Sequence, residues 1–180
     1  LTPRLLDALA RRDDVRLLTI TGPGGVGKTR LATAIASVVA DAFADGVVLV
    51  PLQSVRDPGI VVGTIARALG LFDGEGDLEQ RLVAALEGRY LLLIVDNFEQ
   101  IIEAAPSLAA IVAASPTVKA VVTSRMRLRV RGEQELPLGP LTRDAAVAMF
   151  LERARAVRPD LQPDDAALDL IGEICDKLDR

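Results

Sequence analysis

The run Gly22, Pro23, Gly24, Gly25, Val26, Gly27, Lys28, Thr29 fits the pattern GxxxxGK[ST] and lies between an apolar, β-rich stretch and a long amphipathic one. Such a loop works only where a strand delivers it and a helix carries it away, so the motif already calls for an α/β fold. Its glycines let the backbone curl with N–H groups turned inward, and the helix N-terminus adds positive potential. Lys28 can then bridge β- and γ-phosphates, and Thr29 can ligand Mg²⁺. The competing reading is a glycine-rich turn that happens to carry Lys-Thr. A dinucleotide-binding GxGxxG also occurs at 22–27, but Lys-Thr follows it and no suitable acidic ribose-binding residue stands about twenty positions on.

Around this motif, strand-like and helix-like segments alternate. Strands are expected at 15–21, 47–52, 91–95, 118–123 and 135–138, with Pro137 marking the last as short or at an edge. Helices are expected at 3–12, 28–42, 60–69, 77–87 and 101–114, and the inward stripe of the second is Leu31, Ile35, Val38 and Ala42. After Gly139-Pro140 two helices follow without strands, 143–157 with Val147, Phe150, Leu151 and Ala154 buried, and 165–178 with Leu168, Ile171, Cys175 and Leu178 buried. Four Phe, one Tyr and no Trp leave the packing to aliphatic side chains, which suits buried parallel strands covered by Ala-rich helices. The expected architecture is an α/β P-loop NTPase with a mostly parallel five-stranded sheet flanked by helices, plus a C-terminal helical extension. The corresponding domains are 1–138, binding nucleotide, and 139–180, a helical extension or the start of a lid.

Several chemistries are closed to this chain. It has no His and a single cysteine, Cys175, which removes imidazole zinc sites, His-based triads, Cys-cluster metal sites and internal disulfides. On the inner stripe of its helix, Cys175 reads as a core residue. A formal charge of -4 gives no global attraction to nucleic acid, and stacking aromatics are scarce, so no direct nucleic-acid binding is expected. Without an apolar span of membrane length or a signal-peptide pattern, the expectation is a cytoplasmic protein that does not engage a membrane.

The second chemical element is the apolar strand 91–95 followed by Asp96. In a parallel sheet its carboxyl end opens on the same crevice as the glycine-rich loop, so Asp96 can hold the hydration shell of Mg²⁺; the alternative is a strand-end or helix-capping Asp. Next comes Asn97, which cannot accept a proton as a general base but can orient water. Glu99 is the nearest carboxylate for that task, provided the chain turns back at Asn97 and Phe98; otherwise it is a surface or capping residue. The third element, Thr123-Ser124-Arg125, ends the fourth strand. A hydroxyl pair and a guanidinium there are placed to read a terminal phosphate, and Arg125 can report ATP against ADP and stabilise transferred charge. Arg127, Arg129 and Arg131 follow in alternation and are expected to line an extended segment or pair with Glu133 and Glu135.

Taken together, Thr21 to Ala32, Leu92 to Gln100 and Val121 to Arg125 resemble the nucleotide-binding domain of STAND ATPases (NB-ARC-like), most of all the bacterial branch found in LuxR-type and antibiotic-regulator proteins. The likeness extends over 135–141, 145–155 and 171–179. It implies Lys28 and Thr29 as the Walker A pair, Asp96 as the Walker B aspartate and Arg125 as the sensor arginine, with the fourth strand lying between the first and third. Arg30, the next residue of the first run, joins the candidate nucleotide contacts. Such proteins are signalling switches: an ADP-bound closed monomer becomes an ATP-bound form that assembles with others. The implied function is therefore an ATP- or ADP-binding switch module with slow Mg²⁺-dependent hydrolysis and ATP-dependent homo-oligomerisation. The family's Val-Gly-Arg segment before the first helix and its Gly-Leu-Pro-Leu motif after the last are absent, and sensor or effector domains are expected outside this chain. A non-hydrolysing interaction scaffold with a degenerate pocket is the alternative; a metabolic kinase is a third reading, which would need an acceptor pocket.

Overall fold

The computed structural model describes Leu9, residues 15–72 and residues 76–177. The helix expected at 3–12 lies outside the described residues except for Leu9, which is buried. Two compact units divide the chain, 1–137 and 138–180.

The first unit is built on a parallel sheet. Its strands are β1 (Leu17–Thr21), β2 (Val47–Pro51), β3 (Leu91–Asp96), β4 (Val118–Ser124) and β5 (Glu133–Pro137), in the order β2-β3-β4-β1-β5. All four pairings are parallel. The strands sort themselves by apolarity: β1 and β4 are buried along their whole length and β3 as far as Val95, and these occupy the centre. β2, half exposed, takes one edge and β5 the other. Pro137 has no N–H to offer a further strand, and at an edge none is needed.

Helices α1 (Lys28–Val39), α2 (Val61–Ala68), α3 (Leu78–Leu86) and α4 (Ala105–Ala114) connect the strands. The inward side chains of α2, α3 and α4 join the sheet in one hydrophobic cluster that holds Ile65, Leu82, Leu86, Leu108 and Ile111, with Phe98 as its largest member. The buried stripe of α1 differs from expectation. It consists of Ala32, Ile35, Ala36 and Val39, while Val38 is 63% exposed. The helix lies on these four side chains, and Val38, which falls outside their stripe, is turned to solvent. Helix 101–114 also starts later than its apolar run, because Pro106 sits in the first turn of α4. A proline ring there clashes with the carbonyl four residues earlier, and the preceding chain forms short 3-10 turns, Phe98–Gln100 and Ile102–Ala104.

The second unit pairs α5 (Arg143–Val157) with α6 (Asp165–Lys177). Thr142 caps α5 by accepting from the Ala145 amide, and Arg143 pairs with Asp176 at 3.0 Å. Ala146, Gly172 and Cys175 are the buried members, whereas Phe150, expected inside, is 41% exposed. Leu178 lies outside the described residues.

Candidate functional site

The parallel registry brings three separate stretches of chain to one sheet edge. Thr21 pairs with Ser124 and Val95 with Val122, so the ends of β1, β3 and β4 stand side by side. β4 lies between β1 and β3, as the resemblance implies.

From β1 the chain enters the glycine-rich loop. Gly25 and Gly27 have φ of 80° and 95°, the left-handed region in which a side chain is strained, and this curls the loop ahead of α1. Gly27 is also the N-cap, so no side chain caps α1 and no acidic residue sits in its first turn. The first amides of this 12-residue helix therefore retain their capacity to donate to an anion. Lys28 is largely buried, and its Nζ donates to the carbonyls of Gly22 at 2.9 Å and Pro23 at 2.8 Å. An ammonium has three protons to give, so one is left for a ligand in the loop.

Asp96 is the junction of the site. Its Oδ1 accepts from the Thr29 hydroxyl at 2.7 Å and from the Thr123 hydroxyl at 2.5 Å. Its Oδ2 carries no hydrogen bond among the described residues. The first residue pair of α1, the end of β3 and the end of β4 are thus tied together through one carboxylate oxygen. The Thr29 hydroxyl and the free carboxylate oxygen form an all-oxygen, partly solvated donor set. That chemistry suits Mg²⁺, which keeps most of its waters and takes one or two protein oxygens beside substrate phosphates.

Beyond Asp96 the chain reverses. Asn97 adopts φ 71°, a left-handed conformation that Asn tolerates better than most residues, and its amide donates to Thr123 Oγ1 at 2.9 Å. The turn that follows drives Phe98 into the core, where it is fully buried, and returns Glu99 towards the loop. Glu99 Oε1 lies 3.3 Å from Arg125 Nε, and Glu99 Oε2 is buried without a partner among the described residues. Arg125 in turn lies against the loop: a Cβ placed on Gly24 would stand 3.6 Å from its Nη2.

The structure therefore gathers Lys28, Thr29, Asp96, Glu99 and Arg125 around residues 22–27. Arg30, on the outer side of the first turn of α1, is exposed and makes no hydrogen bond or ion pair among the described residues. The hydroxyls of Thr123 and Ser124 are engaged within the protein. Thr123 is spent on Asp96 and Asn97, and Ser124 is buried, its Oγ accepting from the Met126 amide at 3.3 Å. Arg127 pairs with Glu135 at 3.4 Å, and Glu133 accepts from the amides of Leu128 and Arg129, so this segment folds on itself as a hairpin-like turn. Glu135 also accepts from the Thr21 hydroxyl at 2.6 Å, a link that no linear pattern signals.

A family model described as an AAA domain matches residues 11–136, the stretch that holds every one of these groups. The chain belongs to the AAA domain family. Among its relatives is a Mycobacterium tuberculosis protein classed by name with the HTH-type transcriptional regulators, 38% identical over 168 residues; the match covers 91% of this chain but 19% of that protein. The chain thus spans about a fifth of the length of that relative. Solved structures share the fold at low identity. Cdc6p from Pyrobaculum aerophilum superposes with a TM-score of 0.61 at 18% identity, covering 84% of this chain and 48% of the other. A signal transduction ATPase with numerous domains from Pyrococcus horikoshii, which carries a tetratricopeptide repeat sensor, gives 0.52 at 17% identity, covering 96% and 27%. The AAA domain described here thus shares its P-loop ATPase fold with these two proteins, and the fold implies ATP or ADP as its ligand. Among the described residues no helix is long and apolar enough to cross a membrane.

Proposed function

We propose that this AAA domain is the nucleotide switch of a larger STAND-type regulator of the LuxR or antibiotic-regulator branch, binding ATP or ADP with Mg²⁺ and hydrolysing ATP slowly. The observation that carries the reading is the bond from Thr29 to Asp96, which fixes the glycine-rich loop and the end of β3 in one cleft. A P-loop with that carboxylate beside it suits a nucleoside triphosphate better than any other common ligand. The regulatory setting rests on the length and name of the mycobacterial relative.

In this reading the amides of the loop and of the first turn of α1 surround the phosphates. Lys28 exchanges part of its bonding to the Gly22 and Pro23 carbonyls for phosphoryl oxygens. Thr29 and Asp96 would hold Mg²⁺, whose charge would offset that of the β- and γ-phosphates. Thr123 keeps Asp96 oriented. Arg125, beside Gly24, reads the terminal phosphate and stabilises its charge during transfer. Glu99 orients the attacking water and accepts its proton as the oxygen joins the γ-phosphorus and the bond to the bridging oxygen of ADP breaks. Exchange of ATP for ADP then changes what Arg125 and the loop hold, and that change is passed to the remainder of the regulator as assembly or release.

Calorimetry with ATP, ADP and GTP, each with and without Mg²⁺, followed by sizing of every mixture, tests the proposal. The expected result is binding of ATP and ADP, a gain in ATP affinity with Mg²⁺, and a larger assembled species with ATP alone. Absence of nucleotide binding overturns it, and binding without any turnover or change in assembly supports a scaffold instead.

A further inference from the structure

The pairing of Glu99 with Arg125 has properties that differ from an ordinary surface ion pair. The Glu99 side chain is only 11% exposed while that of Arg125 is 64% exposed. The carboxylate has therefore given up most of its water, and a single contact at 3.3 Å, from Nε to Oε1, is its return. Its second oxygen is buried and unpartnered among the described residues. A guanidinium can meet a carboxylate through two parallel N–H bonds, and this one does not. Its Nη2, which would supply the second bond, instead lies beside Gly24 of the phosphate loop. One cation thus stands between an internal carboxylate and the loop, incompletely engaged with the carboxylate.

From this geometry, and resting on the nucleotide-switch reading above, we infer that Glu99 is an internal competitor for the terminal phosphate. It holds Arg125 in the diphosphate state, yields it to a triphosphate, and so sets how strongly the domain prefers ATP over ADP. A terminal phosphate offers three oxygens and about two negative charges against the one oxygen that Glu99 presents, and it can engage the guanidinium through two N–H bonds. The exchange leaves the Glu99 carboxylate free to act on water only when there is a γ-phosphate to be cleaved. With ADP the pair persists and Glu99 stays neutralised. Phosphate reading and release of the base are then one event, carried by one arginine.

The competition can be measured by binding alone, without turnover. Affinities for the β,γ-imido analogue of ATP and for ADP are determined by calorimetry in the wild type, Glu99→Gln, Arg125→Ala and the double variant. Removing the competing charge in Glu99→Gln raises the ratio of analogue to ADP affinity by about threefold, the scale of a partly exposed ion pair. In the Arg125→Ala background the same substitution leaves the ratio unchanged, because the contested cation is gone. Glu99→Asp, which draws the carboxylate back by one methylene, moves the ratio in the same direction as Glu99→Gln and serves where the amide variant does not fold. An unchanged ratio in Glu99→Gln overturns the inference while leaving the nucleotide switch standing. A rise that persists without Arg125 also overturns it, since plain repulsion between Glu99 and the phosphate then accounts for the effect. Failure of the wild type to bind either nucleotide removes the switch reading and this inference together.

Discussion

The Thr123 hydroxyl donates to Oδ1 of Asp96 at 2.5 Å and at the same time accepts from the amide of Asn97 at 2.9 Å. One side chain on β4 therefore orients the carboxylate at the end of β3 and also pins the reversal that follows it. Both bonds depend on β3 and β4 being neighbours, and the neighbouring pair Val95 and Val122 fixes which residues meet. A Thr123→Val variant keeps the shape and removes both bonds. The expected cost is about 1–3 kcal/mol, since the Asn97 amide loses its partner at a partly buried position, and the Mg²⁺-dependent gain in ATP affinity should shrink with it. Denaturant midpoints measure the first effect and calorimetry the second. Thr123→Ser should restore both; a serine variant as poor as the valine one would mean that the methyl packing, and not the hydroxyl, is what matters.

Asp96→Asn separates the structural duty of this residue from its proposed duty at the metal. The amide oxygen of Asn can still accept from Thr29 and Thr123, so the fold should be nearly unaffected. What changes is the charge and the free oxygen. Nucleotide affinity without Mg²⁺ should stay within a few fold of wild type, and most of the increment that Mg²⁺ adds should vanish. Equal increments in the two proteins would reduce Asp96 to a strand-end residue that merely ties β3 to α1.

Lys28→Ala addresses the phosphate loop. The Nζ bonds it deletes go to Gly22 and Pro23, within the loop itself, so the sheet and core lose nothing. A charge-assisted contact to phosphate is worth about 1.5–3 kcal/mol, and ATP affinity should fall by at least about tenfold. Calorimetry gives the affinity and circular dichroism verifies that the variant is folded. Unchanged affinity in a folded variant would take Lys28 out of the site.

Much of this site was legible in the linear chain, for reasons that differ from residue to residue. The loop is local: eight consecutive residues specify it, and the left-handed glycines among them leave little choice of conformation. Asp96 and Arg125 stand beside the loop because each directly follows an apolar run, and every strand of a parallel sheet delivers its end to the same edge. The partners of Thr123 are set by lateral strand registry, which no one-dimensional pattern contains. The face of α1 was misplaced for another reason. Leu31, Ile35 and Val38 lie at helical spacing, but so do Ala32, Ile35 and Val39, and it is this second stripe that is buried while Val38 is exposed. Apolar spacing allows both faces, and only the docking of the helix on the sheet chooses between them. Phe150 was misread on the same principle, since spacing marks a stripe without saying how far it is covered.

The final prediction concerns turnover. Asn97 cannot take a proton, and its left-handed turn is what brings Glu99 back beside Arg125, so Glu99 is the carboxylate that stands with Arg125 at the loop. Its base function is restrained whenever Arg125 is paired with it, because the contact occupies Oε1 and leaves only the buried Oε2 for a water. The isolated chain should accordingly hydrolyse ATP far below the usual enzyme median of about 10 per second. Glu99→Gln should lower that residual rate by about tenfold or more, the lower bound of what a positioned base contributes, while ATP still binds. Single-turnover assays with excess protein make the comparison independent of ADP release. A Glu99→Gln rate equal to wild type would remove Glu99 from the chemistry and leave it only its hold on Arg125; a fast wild-type rate would mean that the pair imposes no restraint and that the domain is an ordinary NTPase.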